Sequence, residues 1–206
     1  MRVAARRFVR PSKVPARTGR EHQMVGCVER RTDRLGGMCI ELRVATATDS
    51  RRLQQIEIDA GEQFRTVGMS AVADHDPLSL EELLEYAEAG RSFVAHDGDR
   101  IVGYIVLDRV EDAAHIEQVS VVPDAQGRGI GRALVDQARA WAESQQLRAL
   151  TLTTFRDVAW NGPLYAHLGF RVMAEDELSA ELRALRDHEA ELGLDPAQRV
   201  CMRLDL

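Results

Sequence analysis

The chain has 206 residues, 45% hydrophobic and 29% charged, which suits one domain with an ordinary core, with or without a tail. No apolar run approaches the roughly 18 residues of a membrane span, so a membrane partner is not expected. Of the 27 basic and 33 acidic residues, ten and three fall in residues 1–37, which gives that segment +7 and the remainder −13. An acidic body repels nucleic acid and attracts cations, so a nucleic-acid partner is not expected of it. Cys27, Cys39 and Cys201 are far apart and odd in number. They exclude a disulfide scaffold and a CxxC metal site, and suit a reducing, cytoplasmic setting.

Residues 1–37 show no sustained helical or strand period and close on Gly36-Gly37. They read as a basic, disordered extension, with three accounts in competition. The segment is sequence upstream of a working start at Met38, an arm for nucleic acid or acidic lipid, or a targeting peptide. The domain proper is then 38–206. Ile40–Val44 reads as a strand, and Thr48 or Asp49 caps a helix running to about Phe64. Residues 68–76 read as loop. Ser79 and Glu82 form a capping box for a helix that Gly90 stops. Ser92–His96, Ile101–Val110 and Ala114–Val122 read as three meander strands, the first pair joined by Asp97-Gly98-Asp99. A strongly periodic helix runs from Gly129 to about Ser144. Strands at Ala149–Phe155, Phe170–Met173 and Arg199–Leu204 alternate with helices at Pro163–His167 and Asp176–Leu192. The expected fold is α/β, a central mixed sheet of about seven strands with helices on both faces.

The stretch from Val119 to Leu134 carries the chemistry. Within it Gln126-Gly127-Arg128-Gly129-Ile130-Gly131 joins a strand to a helix. Closely spaced glycines let backbone approach a charged ligand, and the first turn of a helix presents free N–H groups and positive potential. The pattern predicts a pyrophosphate cradle. It is not a P-loop, which needs Gly-Lys-Ser/Thr. It is not a dinucleotide fingerprint either, because the third glycine would fall on Leu134 or Arg132.

Gln126-x-x-Gly129-x-Gly131 resembles the signature of the GNAT superfamily of N-acetyltransferases, Gln/Arg-x-x-Gly-x-Gly/Ala after the fourth strand. A second motif, Tyr165-Ala166-His167-Leu168-Gly169-Phe170, matches the family's helix-to-strand junction. The resemblance covers residues 40–174 well and does not touch 1–37. It implies acetyl-CoA as co-substrate, an amine as acceptor, no metal, and a sheet splayed between strands four and five. It also implies that the pantetheine arm pairs with the backbone of Val119 and Val121. The pyrophosphate would then sit on the amides of Gln126, Gly127, Arg128, Gly129, Ile130 and Gly131. A homodimer is left open.

Amine acylation needs a base for the ammonium and an acid for the departing thiolate. His115 and Glu117 lie two apart on one strand, hence on one face, and both are candidate bases. Glu117 is favoured because it lies nearer the cofactor end. Tyr165 is the candidate acid. Family members often carry an Asn seven residues before this Tyr, and Val158 stands there instead. Asn161 either caps the following helix or reaches the cofactor from another place. His22, His75, His96, His167 and His188 show no ligand spacing. The leading function is acetyl transfer to a small-molecule or protein amine. The alternatives are a non-catalytic acyl-CoA-binding sensor, which would not need Glu117 or Tyr165, and a nucleic-acid-linked acetyltransferase using the basic arm.

Overall fold

The protein is described by a computed structural model for residues 33–35 and 38–206, with side-chain environments from Ile40 onward. The expectations for residues 1–32 and for Gly36-Gly37 lie outside the described residues.

The first strands are β1 (Asp33–Leu35) and β2 (Met38–Val44), paired antiparallel with Leu35 opposite Met38. β1 lies inside the segment in which the sequence reading placed no strand. Three residues are too few for an alternation to register. Helix α1 (Ser50–Gly61) follows a turn built on Asp49. Asp49 accepts hydrogen bonds from the Thr46 amide at 2.7 Å and from Arg43 at 2.7 and 2.9 Å. Burial alone would raise its pKa, but these donors hold it at about 2.

The predicted helix end near Phe64 resolves into a 3-10 segment, Glu62–Val67, closed by Gly68 at φ 76°. The predicted loop beyond it contains a single turn of helix, α2 (Ser70–Ala73). Helix α3 (Leu80–Glu88) begins on the expected capping box: Ser79 Oγ accepts from the Glu82 amide at 3.2 Å, and Glu82 accepts from the Ser79 amide at 2.8 Å.

The meander comprises β3 (Ser92–Asp97), β4 (Arg100–Val110) and β5 (Ala113–Val121). Helix α4 (Ile130–Ser144) leads to β6 (Ala149–Phe155), α5 (Gly162–His167) and β7 (Arg171–Val172). Helix α6 (Ala180–Glu191) and β8 (Arg199–Asp205) follow. The predicted start of α6 at Asp176 is a separate 3-10 turn, Glu175–Glu177, and the helix begins after Ser179.

The sheet is mixed and has eight strands in the order β1-β2-β3-β4-β5-β6-β8-β7, the extra strand being β1. Every neighbouring pair is antiparallel except β5 with β6, which run parallel. Those two are the fourth and fifth predicted strands. They pair at only three positions, ending at His115 opposite Thr151, although β5 continues to Val121. Beyond His115 the sheet is open between them.

Helices cover both faces. Tyr104 and Ser120 pair across β4 and β5, and Tyr104 reaches Glu57 of α1. The next pair, Gly103 with Val121, faces the other way, and a β-carbon on Gly103 would meet Ile130 of α4 at 3.3 Å. Helix α4 buries Ile130, Ala133, Leu134, Val135, Ala138 and Ala142 at helical spacing against the sheet.

Candidate active site

The opening between β5 and β6 leaves backbone groups without strand partners. The Val122 amide donates to Val102 of β4 at 2.9 Å. Successive residues of a strand direct their backbone groups to alternate sides, so those of Val121 and Val119 point towards β6. One is already used: Gln126 Nε2 donates to the Val121 carbonyl at 3.0 Å, which ties the glycine loop to the strand end.

The loop itself turns through left-handed backbone at Gly127 (φ 74°) and Gly129 (φ 80°). Side chains other than glycine adopt that conformation at a cost. Gly127 therefore matters for conformation, as well as Gly129. Gly129 is the N-cap of α4 and makes no side-chain cap, so the first-turn N–H groups of α4 face outwards.

A cleft of about 500 Å³ opens at this point. Val121, Gln126, Gly127, Gly129, Ile130 and Gly131 form one wall. The other wall comes from the second motif and its approach, with Ala159, Trp160, Leu164, His167 and Leu168. The two motifs, about 40 residues apart in the chain, thus face one space. His115, Glu117, Val119, Arg128, Asn161 and Tyr165 do not line it. Trp160, Leu164, His167, Leu168 and Arg132 do, and the sequence reading gave them no such place. The spacing of Leu164, His167 and Leu168 along α5 is the signal that was available for one face of that helix.

Local constraints place α5 against the end of β6. A β-carbon on Gly162 would stand 2.3 Å from the Arg156 carbonyl oxygen, so only glycine allows this approach. Asn161 is the N-cap by position, but its side chain does not cap the helix. Its Nδ2 donates instead to Thr154 Oγ1 at 2.9 Å, stitching α5 to β6. Val158 packs with Phe64, Phe155 and Leu194. Tyr165 is fully buried, stacks edge-on against Phe170 at 5.6 Å, and its hydroxyl has no partner among the described residues. Burial pushes its pKa upward, so the phenol keeps its proton at neutral pH.

His115 and Glu117 are buried, at 0% and 2% exposure. The pairing with β4 is irregular beside them. Leu107 pairs with Ile116 and Val106 with Gln118, so Glu117 is the extra residue of a β-bulge. A bulge re-aims one side chain and inverts the alternation beyond it. Both groups nevertheless feel the same charges, Asp108 and Arg199. Burial lowers the pKa of His115 to about 4, leaving it neutral at pH 7. Its Nδ1 bonds Thr151 Oγ1 at 3.0 Å, and its Nε2 has no partner among the described residues.

Glu117 is raised well above the carboxylate range, first by burial and then by Asp108, Glu189 and Glu82, against the pull of Arg199. Its Oε1 has no partner among the described residues. Two of these neighbours are themselves neutralised. Asp108 pairs with Arg91 and accepts from Tyr86 at 2.6 Å. Glu189 of α6 takes two bonds from Arg199 of β8, at 2.7 and 2.8 Å, and one from Thr153 of β6. Breaking such a buried pair costs about 3–5 kcal/mol, so it fixes α6 and β8 against β6 beside the opening. Among the described residues no group of three or more His, Cys, Asp or Glu could hold a metal ion, and no helix is long and apolar enough to cross a membrane.

Comparison with known proteins bears on this geometry. The family model described as acetyltransferase (GNAT) family matches residues 51–170. An uncharacterized N-acetyltransferase of Bacillus subtilis, YvbK, is 27% identical over 155 residues, 75% of this chain and 99% of that protein. Among solved structures, the PaiA N-acetyltransferase of Thermoplasma acidophilum in complex with coenzyme A superposes with a TM-score of 0.63 at 16% identity, covering 82% of this chain and all of that one. Rv2747 of Mycobacterium tuberculosis, solved with CoA, gives 0.60 at 23% identity over 80% and 98% of the two chains. These two solved structures share the fold, and the family match extends over more than half of the sequence. The chain therefore belongs to the GNAT acetyltransferase family and is an acyltransferase of the N-acetyltransferase type.

Proposed function

We propose that the protein transfers the acetyl group of acetyl-CoA to a primary amine, of a small molecule or of a protein, by direct attack of the amine on the thioester. One observation carries the reading. Glu117, a buried carboxyl whose Oε1 has no partner among the described residues, occupies a bulge two residues past the last β5–β6 pair, on the strand whose end, Val121, lines the glycine-lined cleft.

Acetyl-CoA supplies an acetyl group already activated as a thioester. The backbone of Val119 and the amide of Val121 align its pantetheine arm as an added strand would. The Gln126 amide is taken by the Pro123 carbonyl at 3.3 Å, so the amides from Gly127 to Gly131 face its diphosphate, with the positive end of α4 behind them. Glu117 takes the proton from the arriving ammonium, directly or through one water. Burial removed the compensation for its negative charge, and the cation restores it. His115, titrating at about 4, holds a proton far less strongly than the amine that must give one up. That favours Glu117 as base.

Tyr165 is the hydrogen-bond donor to the leaving sulfur. A thiol is ordinarily more acidic than a phenol, at about 8.5 against 10, so Tyr165 acts chiefly by hydrogen bonding to the developing thiolate. Tyr165→Phe keeps the ring stacked on Phe170 and removes only the hydroxyl. Turnover should fall about tenfold to a hundredfold, with the affinity for acetyl-CoA unchanged. Wild-type turnover in the Phe variant would make Tyr165 a packing residue.

The working unit is residues 38–206, with Asp33–Leu35 added at its edge. A cytoplasmic setting suits Cys201, a buried free thiol. The test is a screen of primary amines, polyamines, aminoglycosides and peptides for release of CoA from acetyl-CoA. Acetylation of an amine supports the reading. Binding of acetyl-CoA with no release for any acceptor would favour the sensor instead.

A further inference from the structure

Among the described residues, several buried polar atoms without partners lie near the opening. They include His115 Nε2, Glu117 Oε1, Gln118 Oε1 and the Tyr165 hydroxyl. Three of the four residues already have roles in the proposed chemistry or compete for one. Gln118 has none. It is only 2% exposed, and its Nε2 donates to Ser120 Oγ at 3.1 Å, which fixes the amide plane and leaves the carbonyl oxygen unbonded. Burying such an oxygen without a partner costs about 1–3 kcal/mol. A methionine of the same length would fill the space opposite Val106 without that cost.

Its position says which ligand could satisfy it. Across the bulge, Gln118 shares a face with His115, Ser120, Tyr104 and Asp108, because each pairs with β4 in that phase. This face lies under α1 and α3, where Glu57 meets Tyr104 and Tyr86 meets Asp108. The glycine-lined cleft lies towards the other face, with α4 and α5. A group reaching Gln118 Oε1 from the α1 side is therefore not the diphosphate end of the donor. An amide oxygen accepts and cannot donate, and a primary ammonium carries three N–H donors to place.

We propose that Gln118 is an acceptor-binding residue: its Oε1 receives one N–H of the acceptor amine while Glu117, its neighbour in the bulge, receives another. The inference rests on the amine-acceptor reading above and adds a selection rule to it. Amines that keep two N–H bonds in the bound, neutral form satisfy both oxygens, and secondary and tertiary amines do not.

The test uses n-butylamine as a plain primary amine, titrated into the CoA-saturated protein and followed by the ring resonances of His115. In Gln118→Met the amine concentration needed for half-saturation should rise about tenfold, the worth of a hydrogen bond to a charged group. The melting temperature of the unliganded variant should equal or exceed that of the wild type, because a buried unpartnered amide has been removed. Unchanged amine affinity would overturn the assignment. A lower melting temperature would also overturn it, by making Gln118 a structural residue. If Gln118→Met does not fold, the wild-type protein labelled with 15N-glutamine decides: the Gln118 side-chain amide must shift on addition of n-butylamine and stay still with tetramethylammonium, which has no N–H. Failure of the acetyl-transfer reading would announce itself separately, as binding of acetyl-CoA with no release of CoA for any acceptor amine.

Discussion

Gly131→Glu should abolish the rise in melting temperature that acetyl-CoA produces, while leaving the unliganded protein as stable as the wild type or slightly more so. A ligand at a hundred times its Kd stabilises by about 2.7 kcal/mol, which for a domain of this size is a shift of roughly 5–10 °C. Gly131 is the second residue of α4 and does not occupy left-handed backbone. A glutamate there adopts the helical conformation without strain, and a negative charge in the first turn favours the helix. The same charge stands among the amides that would otherwise face a diphosphate. Loss of the shift therefore reports on the site and not on folding. A variant that keeps the full shift would show that the donor binds elsewhere.

Glu117→Gln should lower turnover by roughly 10²-fold or more at neutral pH with acetyl-CoA binding intact. The deficit should shrink at high pH, where more of the acceptor amine is already neutral. If His115→Ala behaves this way and Glu117→Gln does not, the base is His115. Stability separates the two groups with opposite signs. The carboxyl of Glu117 titrates above its ordinary value of 4.5 in the folded protein. Its contribution is present below pH 4.5 and is lost as pH rises through the folded value. The Gln variant should therefore be the more stable protein in mildly alkaline buffer. The imidazole of His115 is depressed from 6.5 to about 4, so its contribution is lost as pH falls through that window.

The elements that the sequence disclosed are those whose spacing is fixed by local backbone needs. The run from Gln126 to Gly131 was legible because Gly127 and Gly129 carry positive φ and Gly131 opens a helix. The capping box at Ser79 was legible because both of its bonds are made within four residues. His115 and Glu117 were legible as near neighbours on one strand, and both feel Asp108 and Arg199, but the bulge at Glu117 was not legible. An inserted residue that breaks the alternation depends on how β4 matches β5, which no local pattern records. Asn161 looked like a cap by position, but the tertiary partner Thr154 took its side chain. The far wall of the cleft was hidden for the same reason. Trp160 and Leu164 become neighbours of Gly131 only after α5 docks on β6, an approach that Gly162 permits. The bidentate bond of Arg199 to Glu189 spans ten residues of sequence and two elements, and nothing in either residue's neighbours announced it.

The parallel join of β5 to β6 has a mechanical consequence. Among the described residues, the main-chain links between the block β1-β2-β3-β4-β5 and the block β6-β8-β7 all sit at one end: the three pairs from Ala113 to His115, and the Arg148 amide bonded to the Asp112 carbonyl at 2.8 Å. Further along, the blocks are held through side chains: α4 touches β4, β5 and β6, His115 bonds Thr151, and Val110 of β4 packs with α6 and Cys201 of β8. A sheet stitched at one end behaves as a hinge, and its least costly opening is a swing of one block about those three rungs. A pantetheine chain bonded along β5 would act as the missing rungs, and the two blocks would then open together or not at all. Amides of Val119 and Val121 should exchange with solvent deuterium quickly in the free protein, although they sit in the middle of the fold. They should slow in step with those of β6 once CoA is bound, turning two loosely coupled halves into one cooperative unit.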